Sequence, residues 1–200
     1  MANLVFKALD GLFVQARKIQ NWLTESALLI GKSSPYVQSN HEGSLVSWTS
    51  PIGFPVIQPY HKENNIHLKT ALQTITLSRS DPARVDPSKQ AAGFPPNYVH
   101  SLDASHMLLT ALRCKEQGLV FASVHDCFWT HAGSIPVMSR ELREAFVELH
   151  QRPLLEELQA ELEERYRGYM IGGRPINFKP VPKRGPFDIN LVKQSLYFFS

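Results

Sequence analysis

Asp126 lies between two β-prone segments and is the residue of this sequence best placed to do chemistry. Residues 119–124 read Leu-Val-Phe-Ala-Ser-Val, and residues 128–132 read Phe-Trp-Thr-His-Ala. Two short strands around a polar pair predict a β-hairpin with His125 and Asp126 at its tip. A carboxylate beside apolar strands is costly unless it has a cation or hydrogen-bond donors. Such an aspartate can hold Mg²⁺, which binds one or two carboxylates together with water and phosphate oxygens.

Three other interpretations of this region are open on the residues alone. Asp126 can accept hydrogen bonds from its own turn, which is a common role of aspartate. His125, Asp126 and His131 can form a transition-metal or hydrolase site, although no fourth ligand has a recognisable spacing. Cys127 can act as a nucleophile if one of the two histidines serves as its base.

The composition is that of an ordinary globular chain and excludes several classes of protein. The 200 residues are 43% hydrophobic and 20% charged, which argues against extensive disorder. A net charge of +3 permits a nucleic-acid partner without requiring one. Cys114 and Cys127 make neither a disulfide framework nor a CxxC metal motif. No apolar run approaches the roughly 20 residues that a membrane span needs.

Hydrophobic periodicity and turn residues predict the elements that hold the hairpin. Helices are expected at 3–31, at 102–117 and, from Ser139 onward, on both sides of Pro153, and strands are expected at 45–49, 54–58, 72–77, 119–124 and 128–132.

Several details of these elements carry expectations of their own. The rest of 61–92 is expected to be irregular, and Gly31 to end the first helix. Ser101 is expected to cap the 102–117 helix, which would place His100 at a helix N-terminus. The three tryptophans are expected in the core, namely Trp22, Trp48 and Trp129.

Four segments resemble the single-subunit, bacteriophage-type DNA-directed RNA polymerases, and they follow one another in the family's order. Residues 124–131, Val-His-Asp-Cys-Phe-Trp-Thr-His, resemble the strand–turn–strand motif that carries the family's His-Asp pair. The cysteine and the following Trp-Thr-His resemble the mitochondrial branch. The other matching segments are 48–60, 94–106 (preceded by Lys89, Gln90 and Gly93) and 181–200.

The resemblance implies an α+β fold, namely the C-terminal part of the palm and fingers of a right-hand polymerase, with a palm β-hairpin flanked by helices. A single C-terminal polymerase segment is expected over residues 1–200. Its parts would be a fingers-side helix at 1–31, a hairpin at 45–60, the palm helix, catalytic hairpin and following helix at 94–170, and a C-terminal tail at 172–200.

The resemblance also implies template-directed nucleotidyl transfer with two Mg²⁺ ions, in which Asp126 is catalytic and holds metal. His125 would face the primer end or the surroundings of the metals, and His100 would contact the nascent base pair or a phosphate. The implied partners are a DNA template, nascent RNA, ribonucleoside triphosphates, the N-terminal part of the polymerase and transcription initiation factors. The implied location is the mitochondrion, with any targeting segment upstream of this chain.

The sequence departs from the family at its N-terminal side. The family needs a second aspartate on an earlier palm strand and a fingers helix with Lys and Tyr that binds the incoming nucleotide, and this sequence has neither. The chain is therefore expected to begin just after that helix and to be inactive when isolated. The alternative is a truncated, non-catalytic module that binds nucleic acid or a protein.

Overall fold

A computed structural model of the chain describes residues 13–35, 43–70 and 72–198. The chain divides into two compact units, each built from several stretches of sequence. The first unit comprises Met1–Trp48, Ile57–Pro95 and Gln159–Pro182, and the second comprises Thr49–Val56, Pro96–Leu158 and Lys183–Ser200.

Within the described residues, helices are mixed with small two-stranded sheets, which confirms the α+β class. The α-helices are α1 (Val14–Lys32), α2 (Pro87–Glu116), α3 (Ile135–Gln151) and α4 (Leu154–Arg165). The strands pair as β1 (Ser47–Thr49) with β2 (Pro55–Ile57), β3 (His61–Lys69) with β4 (Thr74–Val85), β5 (Ala122–Val124) with β6 (Cys127–Trp129), and β7 (Met170–Ile171) with β8 (Arg174–Pro175). Among these helices, none is both long and apolar enough to cross a bilayer.

Helix α1 forms because its apolar residues recur at steps of three and four and bury one face in the first unit. The predicted helix at 3–31 is confirmed from Val14 onward, whereas its residues 3–12 lie outside the described part of the chain. The prediction that Gly31 ends the helix is wrong, since α1 continues to Lys32. A Cβ on Gly31 would lie 2.9 Å from the Cα of Pro87. Because glycine has no side chain, α1 can approach the start of α2 closely at this position.

Helix α2 begins at Pro87, well before the predicted start at residue 102. Asp86 caps it, because its Oδ1 accepts hydrogen bonds from the backbone N–H groups of Ser88 and Lys89, both at 3.0 Å. Proline is well suited to the first helical position, where its missing N–H is not needed. Ser101 is not a cap: its hydroxyl donates to the carbonyl of Tyr98 one turn back, at 2.7 Å.

The segment 61–85 is a long antiparallel hairpin, and the prediction of a mostly irregular segment is wrong. Strands β3 and β4 are paired along their length, with Ile66 opposite Leu77 and Leu68 opposite Ile75. These four side chains share one face, because directly opposed residues in an antiparallel pair point the same way. Strand β4 runs on to Val85, which is buried, so residues 81–85 are not a loop.

The predicted break between helices α3 and α4 is confirmed, but the predicted first residue of α3 is wrong. They are divided at Pro153 as expected, but α3 begins at Ile135 rather than at Ser139, with proline in its first turn.

Trp22 and Trp48 are buried at 4% and 0% exposure, as predicted. Trp129 is 52% exposed, so its prediction as a core residue is wrong.

Candidate active site

The hairpin predicted around Asp126 is present in the second unit. Its strands, β5 and β6, are shorter than predicted and pair at three positions, Ala122 with Trp129, Ser123 with Phe128 and Val124 with Cys127. This register leaves His125 and Asp126 as a two-residue loop, the shortest common hairpin connection.

The two faces of this hairpin differ in burial. Ser123 and Phe128 share the inner face and are half-buried. Val124 and Trp129 lie on the outer face, where they are 60% and 52% exposed. The side-chain period of two therefore explains why Trp129 is exposed although Phe128 packs inward.

His125 has a backbone φ of 53°, and it is the one non-glycine residue with positive φ among those described. This left-handed conformation is disfavoured for most L-residues, although His, Asn and Asp adopt it more often than others do. The tight turn therefore constrains the backbone at His125 directly beside Asp126.

The Asp126 carboxylate is exposed at the tip of the hairpin. Its one contact among the described residues is with the Cys127 thiol, whose Sγ lies 3.9 Å from Oδ1. No backbone N–H of the turn donates to it, so the structure does not support a turn-capping role. With this single long thiol contact at Oδ1, the solvent-facing carboxylate keeps its oxygens accessible to a cation.

The interpretation of His125, Asp126 and His131 as a metal or hydrolase site is wrong. The described residues contain no cluster of three or more His, Cys, Asp or Glu side chains that could hold a metal ion. His131 lies beyond the base of β6, and at about 3.3 Å per residue it is roughly 16 Å along the chain from Asp126. The Asp126 carboxylate has the oxygen chemistry that suits Mg²⁺, and any ion held there would take its other protein ligands from outside the described residues.

Cys127 is exposed, and its described contact is with Asp126 rather than with a histidine. A thiol nucleophile needs a base within hydrogen-bond reach, and neither His125 nor His131 is bonded to Cys127 among the described residues. The structure thus gives no support to the nucleophile interpretation.

His100 lies in the middle of α2, because that helix begins at Pro87. The expectation that a helix N-terminus would help His100 to bind phosphate is therefore wrong. His100 itself is exposed and belongs to the second unit, as does Asp126.

An apolar cluster supports the hairpin from within the second unit. Its buried members are Cys114 of α2 with Met138 and Leu142 of α3, and partly buried residues pack on them from other elements, namely Leu119, Phe121, Phe128 and Phe198. The rings of Phe121 and Phe128 are 6.0 Å apart between centroids. Burial raises the pKa of the Cys114 thiol, with a smaller contribution from Glu141, so this cysteine acts as a small apolar residue.

Comparison with known proteins gives a consistent match over the whole chain. A family model described as DNA-dependent RNA polymerase matches residues 1–174. The chain is 46% identical over 214 aligned residues to the mitochondrial DNA-directed RNA polymerase of Mus musculus. The chain belongs to the DNA-dependent RNA polymerase family. Its identity is 41% to the mitochondrial enzyme of Schizosaccharomyces pombe and 43% to the chloroplastic DNA-directed RNA polymerase 3 of Nicotiana sylvestris.

This polymerase chain is much shorter than those relatives. Each alignment covers 100% of the chain but only 17% of the mouse protein and 19% of the other two. Those relatives are thus several times as long as this chain.

The C-terminal tail of the polymerase chain is held against α3 by hydrogen bonds and a cation–π contact. The Arg143 guanidinium donates to the carbonyls of Val192 and Ser195 at 2.9 and 2.6 Å, and it lies 5.1 Å from the centroid of the Phe198 ring. Arg184 donates to two carbonyls in the last turn of α3, where helices leave acceptors unpaired. These contacts hold Phe198 in the cluster beneath the hairpin.

His106 also lies in this part of the second unit, although no sequence pattern connected it with the site. It is 2% exposed on α2, and its ring lies near the rings of Phe128, Phe146 and Phe198. The available signal was its place in the segment 94–106, which resembles the polymerase family, but its three aromatic neighbours are far from it in sequence.

Proposed function

We propose that this chain supplies one of the two metal-binding aspartates of a DNA-directed RNA polymerase, at Asp126. The observation that carries the proposal is the exposed Asp126 carboxylate, which has no backbone donor although it stands at the tip of a packed hairpin. Membership of the polymerase family supplies the reaction class, template-directed nucleotidyl transfer.

Asp126 would hold metal through its carboxylate oxygens, which is the ligand chemistry that Mg²⁺ prefers. The chemistry that two bound Mg²⁺ ions supply is activation of the attacking 3′-oxygen and neutralisation of charge on the leaving pyrophosphate. One carboxylate supplies too few ligands for two ions, so a second aspartate would come from the rest of the polymerase. His125, next to Asp126, is proposed to face the primer end, and His100 is proposed to contact the nascent base pair.

The place of the chain in a right-hand polymerase is part of the same proposal. Residues 1–31 would belong to the fingers side, 45–60 would form a hairpin, 94–170 would form the palm helix, catalytic hairpin and following helix, and 172–200 would form the C-terminal tail. The half-buried inner face of the Asp126 hairpin supports this, because a palm must hold its carboxylates on a packed scaffold.

The partners follow from the reaction. They would be a DNA template, nascent RNA, ribonucleoside triphosphates and the remaining part of the polymerase, with initiation factors acting on the whole enzyme. We place the protein in the mitochondrion because the mouse and S. pombe relatives are named mitochondrial, although the N. sylvestris relative is named chloroplastic.

A complete polymerase that carries this chain tests the proposal. One such enzyme is the mouse relative with its aligned segment replaced by this chain. We expect Asp126→Asn to abolish primer extension while the melting temperature stays close to that of the parent. The matched control is Glu116→Gln, which removes an exposed carboxylate at the end of α2 and should leave synthesis unchanged. Near-normal synthesis by the Asp126→Asn enzyme would remove Asp126 from the catalytic site.

The second candidate function is a non-catalytic module that binds nucleic acid or a protein. It is favoured by the single carboxylate of the candidate site, since the described residues contain no cluster of three or more possible metal ligands. We expect the isolated chain to show no template-dependent synthesis and to bind Mg²⁺ only in the millimolar range or weaker. Synthesis by the isolated chain would contradict the proposal that other segments complete the site.

A further inference from the structure

We propose that His106 is a positioning residue for the polymerase reaction, which fixes the Asp126 hairpin through the ring of Phe128. The inference rests on the proposed function, because it concerns the placement of the carboxylate that would hold metal. Nothing in the geometry brings His106 itself to the reacting atoms, and its effect is indirect.

His106 lies at the centre of three phenylalanine rings that come from distant parts of the second unit. The ring centroids of Phe128, Phe146 and Phe198 lie 6.2, 5.5 and 6.5 Å from that of His106, at interplanar angles of 78°, 88° and 75°. Edge-to-face arrangements of this kind are favourable and directional, so each ring restricts the orientation of the others. The hairpin, α3 and the C-terminal tail therefore meet at one α2 side chain.

A hydrogen bond fixes the orientation of the His106 ring. Its Nε2 lies 2.9 Å from the carbonyl oxygen of Leu142 on α3. A carbonyl can only accept, so Nε2 carries the proton. Burial lowers the pKa of His106, with the carbonyl of Leu142 opposing that shift, so the neutral ring with a proton on Nε2 is the form present near neutral pH.

The hairpin needs such a support because it can stabilise itself only weakly. It has three paired positions, and an isolated two-stranded hairpin is marginal in water. Val124 and Trp129 on its outer face are exposed, so among the described residues its packing depends on the inner face, where Phe128 lies. Phe128 is two residues from Asp126, and a shift of its ring moves the carboxylate with it. A displacement of about 1 Å in a catalytic group can cost about 100-fold in rate.

Two substitutions in the complete polymerase separate the parts of this support. His106→Phe keeps an aromatic ring of similar size and removes the donor to Leu142, whereas His106→Gln keeps an N–H donor and removes the ring. We expect each to lower kcat at saturating nucleotide by about 10- to 100-fold. We also expect the Mg²⁺ concentration for half-maximal rate to rise at least about threefold, with KM for nucleotide changed by less than about twofold, since a loss confined to kcat marks transition-state geometry.

Leu149→Ala is the control for loss of stability alone. Leu149 is a core residue of α3, 1% exposed, and it belongs to neither the hairpin nor the ring cluster around His106. This variant should lower the melting temperature while its kcat per active enzyme and its Mg²⁺ dependence stay at the parent values. If both His106 variants behave in the same way as Leu149→Ala, His106 is merely structural and the inference is overturned.

A coupling experiment tests the route through Phe128. The effects of His106→Gln and Phe128→Leu on kcat should be clearly less than additive in the double variant, because both remove the contact between these two rings. Full additivity would contradict the route.

Asp126→Asn in the same enzyme keeps this inference distinct from the proposed function. If that variant is inactive while the His106 variants match Leu149→Ala, only the inference fails. If Asp126→Asn remains active, the proposed function fails and the inference fails with it.

Discussion

Gln58 and Gln90 hydrogen-bond to each other in both directions inside the first unit. The Gln58 Nε2 donates to the Gln90 Oε1 at 2.8 Å, and the Gln90 Nε2 donates to the main-chain carbonyl of Gln58, also at 2.8 Å. The Gln90 Oε1 also accepts from the backbone N–H of Val46 at 3.2 Å. With exposures of 2% and 0%, the two buried glutamines join α2 to the chain segments around β1 and β2.

Replacement of Gln90 by leucine should destabilise the first unit by about 3 kcal/mol, because it leaves several buried polar groups without partners. Urea unfolding of the chain, followed by circular dichroism, measures the loss. The control is Gln117→Leu, since Gln117 is exposed just after α2 and should change the stability by less than about 0.5 kcal/mol. Equal midpoints for the two variants would show that the amide pair contributes little.

The hairpin around Asp126 could be predicted from sequence because its signal is local. Two β-prone segments around a polar pair leave few alternatives, and the register of β5 and β6 follows from the two-residue loop. Helix α1 could also be predicted from the sequence, because its buried residues recur with helical spacing.

The start of α2 and the β3–β4 hairpin could not be predicted, for two different reasons. Helix α2 contains Pro95 and Pro96, and prolines inside a pattern normally indicate a helix end. The hairpin at 61–85 is rich in polar residues, and its central apolar side chains, Ile66, Leu68, Ile75 and Leu77, are exposed. Their positions therefore do not follow the alternation of buried and exposed residues that usually predicts a strand.

The packing that supports the candidate site also could not be predicted from local sequence patterns. His106 contacts Phe128, Phe146 and Phe198, which are separated from it by between 22 and 92 positions in the sequence. Such contacts are decided by tertiary packing, and neither periodicity nor turn chemistry reports them. The metal-binding role of Asp126 could be proposed from the sequence, but the ring cluster around His106 that supports its hairpin could not.

Gly31→Ala should destabilise the first unit by about 1–3 kcal/mol, because overpacking a close backbone contact forces a shift. The added Cβ would lie 2.9 Å from the Cα of Pro87 and 3.1 Å from its Cβ, and backbone cannot move aside cheaply. Thermal unfolding of the chain measures the effect. Gly133→Ala is the matched control, since a Cβ there meets no described atom within 4 Å and should cost little. A Gly31 variant as stable as the Gly133 variant would show that α1 and α2 can separate slightly at no cost.

The stability of the second unit should fall as the pH drops below about 6.5, the ordinary pKa of histidine. Burial lowers the pKa of both His106 and His150, against the effect of backbone hydrogen bonds to each ring, and Arg184 lowers that of His150 further. The unfolded chain therefore takes up protons in this range before the folded chain does. The stabilisation is complete above the unfolded pKa and is lost as the pH falls through the folded values.

Urea midpoints between pH 7.5 and 5.5 test this pH dependence, with slopes of at most about 1.4 kcal/mol per pH unit for each histidine. His150→Gln should reduce the slope, because it removes one of the two buried rings whose pKa is lowered. A slope of opposite sign, with stability rising as the pH falls, would refute the assignment of neutral buried rings.

Substitutions at His125 separate its backbone role from a role of its imidazole. The residue has a φ of 53°, and glycine and asparagine both tolerate this region better than most residues do. His125→Gly should stabilise the hairpin or leave it unchanged, within about 1 kcal/mol, because relief of a strained φ offsets the added freedom of the unfolded chain. His125→Asn should fold as well as the parent.

If the imidazole contacts the primer end as proposed, both variants should lose polymerase activity by about 10-fold or more despite intact folding, the typical worth of one positioned polar contact. Primer extension by the complete polymerase, with the melting temperature measured on the same preparations, gives the answer. Full activity in both variants would leave His125 with a single function, which is to let the chain turn tightly enough to present Asp126.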